Sequence, residues 1–340
     1  MMPTSFALQQ IERFTKRGDS VLDPFCGRGT IPFAAAALER SFWGIEIFPV
    51  GWVYSATKCR PANKSRLLAR LDDVAKLQPS SIERSEFFRR AYSRPVLKFL
   101  CAAREQLNWR FNQVDRTLMS FILISLHDKE GVGLSNQMRQ TKAMHPDYAV
   151  RWWKSHEKET PPDIDPVAVL QSKIEWRYGK GIPKLAAEGK IYLGDCTSLL
   201  SRASRIDGIK LLFTSPPYFR VTNYYVDQWI RNWMLGGPSR PSSGKHVYMR
   251  RFNSKQAYRL LLERAFASAA DKLVDDAVVF VRTDAREFAL QTTRDVLQEI
   301  FPNKKMTVKA SPLNGRLSQT ALFGDKQEKP GEVDLILQSR

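Results

Sequence analysis

The stretch Leu211-Leu212-Phe213-Thr214-Ser215-Pro216-Pro217-Tyr218-Phe219-Arg220 constrains this chain more than any other. Lys210 to Phe213 is a short apolar run, the pattern of a buried strand in a parallel sheet. The paired prolines have no N–H to donate, so a sheet ladder cannot run through them. The strand must stop at Thr214–Ser215. A rigid turn then presents a hydroxyl, a proline carbonyl and an aromatic ring at the strand's carboxyl end, where open α/β sheets bind their ligands. Parallel neighbours are required, and the rest of the chain supplies them.

Ser20–Phe25 reads as a first strand, followed by Cys26-Gly27-Arg28-Gly29-Thr30 and the helical run Ile31–Arg40. A strand, a glycine-rich turn and a helix form the opening half of a nucleotide-binding βαβ unit. Gly27 and Gly29 allow close backbone approach to a ligand at a helix N-terminus. Phe42–Ile47 is a second strand carrying Glu46, an acid placed at a strand tip to accept hydrogen bonds from ribose hydroxyls. The third glycine of a dinucleotide fingerprint is missing, and Asp23-Pro24-Phe25 is not typical of NAD sites. Further strands are read at Lys190–Cys196, Ala277–Val281, Met306–Ala310 and Val333–Gln338. Helices are read at Pro3–Phe14, Ala257–Val274 and Thr292–Phe301, with Gly315–Glu332 as a connection.

The series Asp23-Pro24-Phe25-Cys26-Gly27-x-Gly29-Thr30, then Gly44-Ile45-Glu46, then Ser215-Pro216-Pro217-Tyr218 resembles the S-adenosylmethionine-dependent DNA amino-methyltransferases of the Ser-Pro-Pro-Tyr type, the cytosine-N(4)/adenine-N(6) DNA methylase family. The resemblance implies an α/β fold, the class I S-adenosylmethionine methyltransferase (Rossmann-like) sheet of seven mostly parallel strands with its last strand antiparallel. It implies S-adenosyl-L-methionine as cofactor, held by Pro3, Thr4, Asp23, Phe25, Gly27, Gly29, Thr30, Glu46, Asp195 and Cys196. Asp195 corresponds to the acid that meets the cofactor's adenine amino group. The catalytic loop is Ser215, Pro216, Pro217 and Tyr218. A serine at its first position leans toward the amino nitrogen of cytosine over that of adenine. Two departures stand out: the cofactor motif precedes the catalytic one, and a large insertion separates strands two and three.

That insertion sets the expected division, with residues 1–58 and 188–340 as catalytic core and 59–187 as a helical insertion. Leu67–Leu77, Ser85–Tyr92, Pro95–Phe111, Val114–Leu126 and Val167–Tyr178 read as helices, and Gly131–Arg139 as a loop. The insertion carries 25 basic and 15 acidic residues over 51–190, and its cluster Asn136, Gln137, Arg139, Gln140 and Lys142 suggests contact with DNA or target recognition. Between Phe219 and Arg259 there are 8 basic residues and one acid, Asp227, interleaved with Tyr224, Tyr225, Trp229, Trp233 and Tyr248. Basic charge mixed with aromatics suits a polyanion with stackable bases. Arg220, Arg240, Lys245, Arg250, Arg251 and Lys255 are the expected DNA contacts, in a loop punctuated by glycines, prolines and serines.

The chemistry follows from the amine. An exocyclic amine is a poor nucleophile because its lone pair is delocalised into the ring. Ser215 and the Pro216 carbonyl would accept its two hydrogens and localise the pair, with the prolines holding both acceptors rigid. Tyr218 would stack on a base flipped out of the duplex. Carbon-5 methylation needs a thiolate, commonly in a Pro-Cys pair, and the sequence has none. Cys26, Cys59, Cys101 and Cys196 are scattered, and His127, His145, His156 and His246 lack ligand spacing, so neither a metal site nor a disulfide framework is expected. No apolar run approaches the ~20 residues of a membrane span. The expectation is a soluble cytoplasmic enzyme acting on DNA, with cognate restriction or defence-system proteins as possible partners. Methylation of RNA and a catalytically silent nucleic-acid-binding module are the alternatives.

Overall fold

The computed structural model describes residues 2–129, 131–139, 142–182, 185, 187–220, 224–241, 251, 254–311 and 331–339. The chain forms two compact units, one of Met1–Phe48, Leu185–Thr222 and His246–Arg340, the other of Pro49–Lys184 and Asn223–Lys245.

The first unit is built on seven strands: β1 (Ser20–Asp23), β2 (Ser41–Glu46), β3 (Gly189–Leu193), β4 (Ile209–Thr214), β5 (Leu273–Asp284), β6 (Lys304–Ser311) and β7 (Glu332–Ser339). Their order is β3-β2-β1-β4-β5-β7-β6. The first five pair in parallel, with Leu22 opposite Trp43 and Leu212, and Phe213 opposite Phe280. β7 runs antiparallel to both β5 and β6, with Phe280 opposite Ile336. This is the expected α/β, Rossmann-like sheet of seven mostly parallel strands with its last strand antiparallel. β1 lies centrally, so the order reverses between β1 and β4 and the carboxyl ends of both strands open onto one switch point.

Side chains alternate across each strand, and both faces are covered. Leu22, Leu212, Val279, Val281, Leu335 and Leu337 form one core with Tyr258, Leu262 and Phe266 of the helix Lys255–Ala270 and Val296 and Leu297 of the helix Glu287–Ile300. On the other face Phe213 and Phe280 meet edge to face at 4.7 Å and take Phe6 of the helix Thr4–Phe14 at 6.4 and 6.0 Å. Each such fully buried side chain contributes about 1.5–3 kcal/mol. Gly189 permits the β2–β3 pairing: a Cβ there would lie 2.3 Å from the Phe42 carbonyl oxygen.

Several boundaries differ from the sequence reading. The helix expected over 257–274 ends at Ala270, because Leu273 already pairs with Ile209 and opens a 12-residue strand. β1 stops at Asp23, since Pro24 cannot donate and the Phe25 N–H turns back to Asp23 Oδ1 at 3.2 Å. β3 ends at Leu193, and Asp195 caps a helical turn instead of extending the strand. Glu332, read as part of a connection, is the first residue of β7.

The second unit is helical. Its helices are Pro49–Cys59, Lys64–Lys76, Glu86–Ala91, Arg94–Gln106, Gln113–Ser125, Pro146–Ser155, Pro166–Gly179, Tyr224–Asp227 and Trp229–Met234 among the described residues. It therefore begins ten residues before the expected boundary at 59 and takes in 223–245, which sequence reading left as a basic loop. Trp229 and Trp233 are 2% and 1% exposed. They pack on Phe87 and Phe88 at centroid distances of 4.5–6.2 Å, so they are core residues and are not available to stack on bases. Asn136 is likewise internal, its amide donating to the carbonyls of Arg90 and Lys158 at 3.1 and 2.7 Å. In the Gly131–Arg139 segment it acts as a structural tie. Among the described residues no helix is long and apolar enough to cross a membrane.

Candidate functional site

The carboxyl ends of β1, β2 and β4 bring three of the motifs together. Asp23 ends β1 with 2% exposure. Its Oδ1 accepts from the Thr214 hydroxyl at the end of β4 at 2.6 Å, so the glycine turn and the proline loop are joined through one buried hydrogen bond. Burial raises the Asp23 carboxyl to about 7, against the hydrogen bonds from Thr214 and the Phe25 N–H.

The turn between Asp23 and the helix Thr30–Ala37 is shaped by left-handed backbone at Gly27 and Gly29, φ 52° and 72°. Side chains would be strained there. Gly29 caps the helix without a side-chain bond, and the helix opens with the N–H groups of Thr30 and Ile31 ahead of Pro32, which has none. The turn is tied to β2 by the Cys26 N–H, which donates to the Ile45 carbonyl at 3.0 Å. Gly44 makes this possible, because a Cβ would meet Ile191 Cδ1 at 2.7 Å and Cys26 Sγ at 3.2 Å. Thr30 is buried at the start of the helix, and Phe25 packs against the sheet core.

Glu46 closes β2. Its Oε1 accepts from the Phe48 N–H at 2.8 Å, and the backbone N–H groups of Gly27 and Ile47 also bond its carboxylate. Although part of its surface meets solvent, protein surrounds the carboxyl. Burial above all, with the nearby Asp23 charge as a lesser cause, pushes it up to about 8. Two acids thus sit at adjoining strand ends, and among the described residues the groups that bond them are neutral N–H and O–H donors.

The Ser215–Tyr218 loop follows β4 directly. Pro216 is buried, while Ser215, Pro217 and Tyr218 are partly exposed. The Tyr218 hydroxyl donates to Glu332 Oε1 at 2.8 Å. Burial, then the Glu332 charge, raises the Tyr218 phenol well above its usual range. Behind Glu332 stands Arg282, 5% exposed, 3.3 Å from Glu332 Oε2 and bidentate to Asp334 at 2.6 and 2.8 Å. Its guanidinium lies 3.7 Å above the Phe6 ring. Neither Glu332 nor Arg282 carried any local sequence signal. Exposed Pro3 caps the first helix, and exposed Thr4, two residues before Phe6, begins it.

Asp195 stands apart from the acids at Asp23 and Glu46 in its partners. Oδ1 caps the helical turn after β3, accepting from the Thr197 N–H at 3.0 Å and hydroxyl at 2.8 Å. Oδ2 pairs with Arg251 at 2.6 Å. Arg251, expected to face phosphate, is therefore engaged within the protein. Cys196 is buried, and burial raises its thiol. Arg240 pairs with Asp147 at the surface of the helical unit. Arg220 is exposed, in left-handed backbone at φ 57°, with its guanidinium 5.1 Å from the Phe219 ring. Lys255 is exposed at the start of its helix, 5.0 Å from the Phe288 ring centroid. Lys245 and Arg250 lie outside the described residues.

The chain is similar to solved methyltransferase structures. They include the rRNA methyltransferase aviRa from Streptomyces viridochromogenes, at 12% identity over 99% of this chain and 85% of that one, TM-score 0.36. A TehB-like SAM-dependent methyltransferase from Corynebacterium glutamicum matches at 8% identity over 98% and 87%, TM-score 0.36. An rRNA methylase from Streptococcus thermophilus matches at 8% identity over 100% and 97%, TM-score 0.39. A comparison with curated protein sequences gives no match. Residues 1–49, which hold Asp23, the Gly27 and Gly29 turn and Glu46, match the model of the N6/N4 methyltransferase family described as DNA methylase. Over that segment the chain resembles the N6/N4 DNA methylases, the family to which its motifs point.

Proposed function

We propose that this protein is an S-adenosylmethionine-dependent methyltransferase acting on an exocyclic amino group of a DNA base, with cytosine N4 favoured over adenine N6. The observation that carries the reading is the buried Thr214–Asp23 hydrogen bond, which joins the Ser215–Tyr218 loop to the turn inside the matched segment.

The residues fit the cofactor on chemical grounds. Asp23 and Glu46 are acids held near 7 and 8 by burial, so a ligand that supplies hydroxyl donors and positive charge would favour their ionised forms. Glu46 would take the ribose hydroxyls, with the Gly27 and Gly29 turn and Thr30 beside them. Asp195 has one oxygen committed to Thr197 and the other to Arg251, so its proposed role toward the adenine amino group requires Arg251 to share or yield it. Bound S-adenosylmethionine would supply an activated methyl group on sulfonium. The protein then needs no covalent nucleophile, and its buried cysteines, with Cys59 and Cys196 raised by burial, suit none.

Ser215 Oγ and the Pro216 carbonyl accept the two hydrogens of the target amine, and Tyr218 offers its ring to the base. Serine at the first loop position supports cytosine N4 by resemblance to enzymes of that specificity. Arg220 and Lys255 offer exposed positive charge for phosphates. Arg240 and Arg251 would have to exchange carboxylate partners for phosphate. The test is nucleoside mass spectrometry of DNA and RNA from cells expressing the protein. N4-methylcytosine in DNA is the expected product. N6-methyladenine in DNA would correct the base, methylated RNA alone would correct the substrate, and no methylated nucleoside in either would overturn the reading.

A further inference from the structure

We infer that Phe288 presents the Lys255 ammonium to a DNA phosphate beside the catalytic loop, and that Phe219 ties this contact to the loop. The inference rests on the proposed function for its substrate and adds two positioning residues to it, neither of which carries charge.

A basic side chain serves a phosphate only if its charge is left for it. Several basic residues near the site are matched inside the protein: Arg251 by Asp195, Arg282 by Glu332 and Asp334, and Arg286 by Asp284. On the same helix as Lys255, Arg259 lies one turn further on and pairs with Glu263 and Glu299. Lys255 is held differently. Its Nζ stands 5.0 Å from the centroid of the Phe288 ring, at the start of the helix Glu287–Ile300. A ring face attracts a cation through its quadrupole and brings no net negative charge. Phe288 therefore limits where the ammonium can go without cancelling what it offers.

The Phe288 ring is itself fixed by its neighbours. It packs on Phe219 at 4.8 Å and on Tyr258 at 6.1 Å, and Phe219 packs on Tyr258 at 5.5 Å. Tyr258 is fully buried and sits on the helix that Lys255 begins, so one helix supplies both the floor of the cluster and the cation above it. Phe219 directly follows Tyr218. Two ring contacts therefore connect the lysine to the loop that carries Ser215. Arg220 comes next, in left-handed backbone at φ 57° with its guanidinium 5.1 Å from the Phe219 ring. An arginine seldom takes that conformation, and here it coincides with a guanidinium seated on the second ring of the pair. Two cations thus lie on one pair of rings beside the end of β4.

The experiment measures binding of a random-sequence DNA duplex at several salt concentrations. It compares wild type with Lys255→Gln, Phe288→Leu, Phe288→Tyr, Phe219→Leu and the double variant Lys255→Gln/Phe288→Leu. Lys255→Gln should lower the salt slope by about 0.9 and weaken binding about fivefold at about 0.15 M salt. Phe288→Leu and Phe219→Leu should do the same, because the lysine loses its platform. Phe288→Tyr keeps the ring face and should match wild type. The double variant should lose no more than Lys255→Gln alone. A merely structural role for the rings would leave the slope unchanged. A readout independent of binding is the NMR spectrum of protein labelled in lysine. The Lys255 methylene signals, identified by their loss in Lys255→Gln, should lie upfield through the ring current of Phe288 and return to the ordinary lysine position in Phe288→Leu. An unchanged slope in Lys255→Gln, Phe288→Leu or Phe219→Leu would overturn the inference. So would a tyrosine variant as weak as the leucine one, losses that add in the double variant, or wild-type Lys255 signals at the ordinary position, whatever the nucleoside analysis shows. The expected slopes with no methylated nucleoside in DNA would keep the phosphate contact and overturn the proposed function. If Phe288→Leu does not fold, Phe219→Leu and the wild-type lysine spectrum decide the matter.

Discussion

Cofactor affinity should depend steeply on pH below 8, and the cause is Glu46. Its carboxyl is pushed up to about 8 by burial, and Asp23 beside it to about 7. A ribose hydroxyl donates to a carboxylate, so binding selects the ionised form and must expel the proton first. For a single group at about 8 the apparent affinity then falls about tenfold per pH unit below 8, roughly a hundredfold weaker at pH 6. Asp23 adds to the slope below about 7. The cofactor's own α-amino group titrates near ~8, in the same way whichever protein binds it. The ratio of wild-type to Glu46→Gln affinity therefore isolates the protein's contribution. Calorimetric titration with S-adenosylmethionine at pH 6, 7, 8 and 9 should show that ratio rising about tenfold per unit to pH 8 and then levelling. Repeating the titration at pH 6.5 in buffers of different ionisation enthalpy should show about one more proton released by wild type than by the variant. A ratio that stays constant from pH 6 to pH 9 would show that Glu46 does not bind the cofactor as a carboxylate, and the strand-end assignment would fall.

The same shift fixes a stability prediction of definite sign. Glu46 titrates at 4.5 when unfolded and at about 8 when folded, so its contribution is fully present below 4.5 and lost as pH rises through 8; in thermal melting without ligand, Glu46→Gln should gain on wild type between pH 5 and pH 8 and then level. Ser215→Ala should slow methyl transfer by about a hundredfold while cofactor affinity stays near wild type, and an equal loss of both in calorimetry and single-turnover rates would contradict its assignment to the amine. Gly189→Ala drives a Cβ to within 2.3 Å of the Phe42 carbonyl and should cost about 1–3 kcal/mol, read by denaturant unfolding. Replacing Arg220 and Lys255 together by Gln should lower the salt slope of DNA binding by about 1.8 if each meets one phosphate; an unchanged slope removes both from the interface.

Much of the sheet could be read from sequence because its strands announce their ends. Pro24 after Asp23, and Pro216 and Pro217 after Ser215, mark places where pairing must stop, and Gly27 and Gly29 mark a turn that other residues resist. The acids at those ends were legible for the same reason. Glu332 and Arg282 were not. They reach Tyr218 through β5 and β7, 114 residues away in the case of Glu332, and only the register of an antiparallel pair places them there. The pairing of Arg251 with Asp195 was not legible either, because a basic run in sequence says nothing about which of its members finds an acid. Trp229 and Trp233 offered a signal that went unused: aromatic residues four apart share one helix face, and a shared apolar face is more often buried than presented.

The acids of the sheet edge divide into two kinds, and the division says which parts of the site are complete before any ligand arrives. Asp334 is matched inside the protein by Arg282, and Glu332 by Arg282 and Tyr218. Their charges need nothing more, so the loop that carries Ser215 is held in its working geometry by contacts that do not involve substrate. Among the described residues Asp23 and Glu46 are bonded by neutral N–H and O–H groups, which lower their pKa values but do not offset burial. A buried acid without a cation costs the free protein stability. That cost is recovered when a ligand brings hydroxyl donors and positive charge, so cofactor binding should stabilise the fold through this half of the site. The expected result is a thermal shift on adding S-adenosylmethionine that is larger at pH 8.5 than at pH 6. The shift should be smaller at pH 8.5 in Glu46→Gln and unchanged in Tyr218→Phe. A shift abolished by Tyr218→Phe instead would mean that the two halves are not divided in this way.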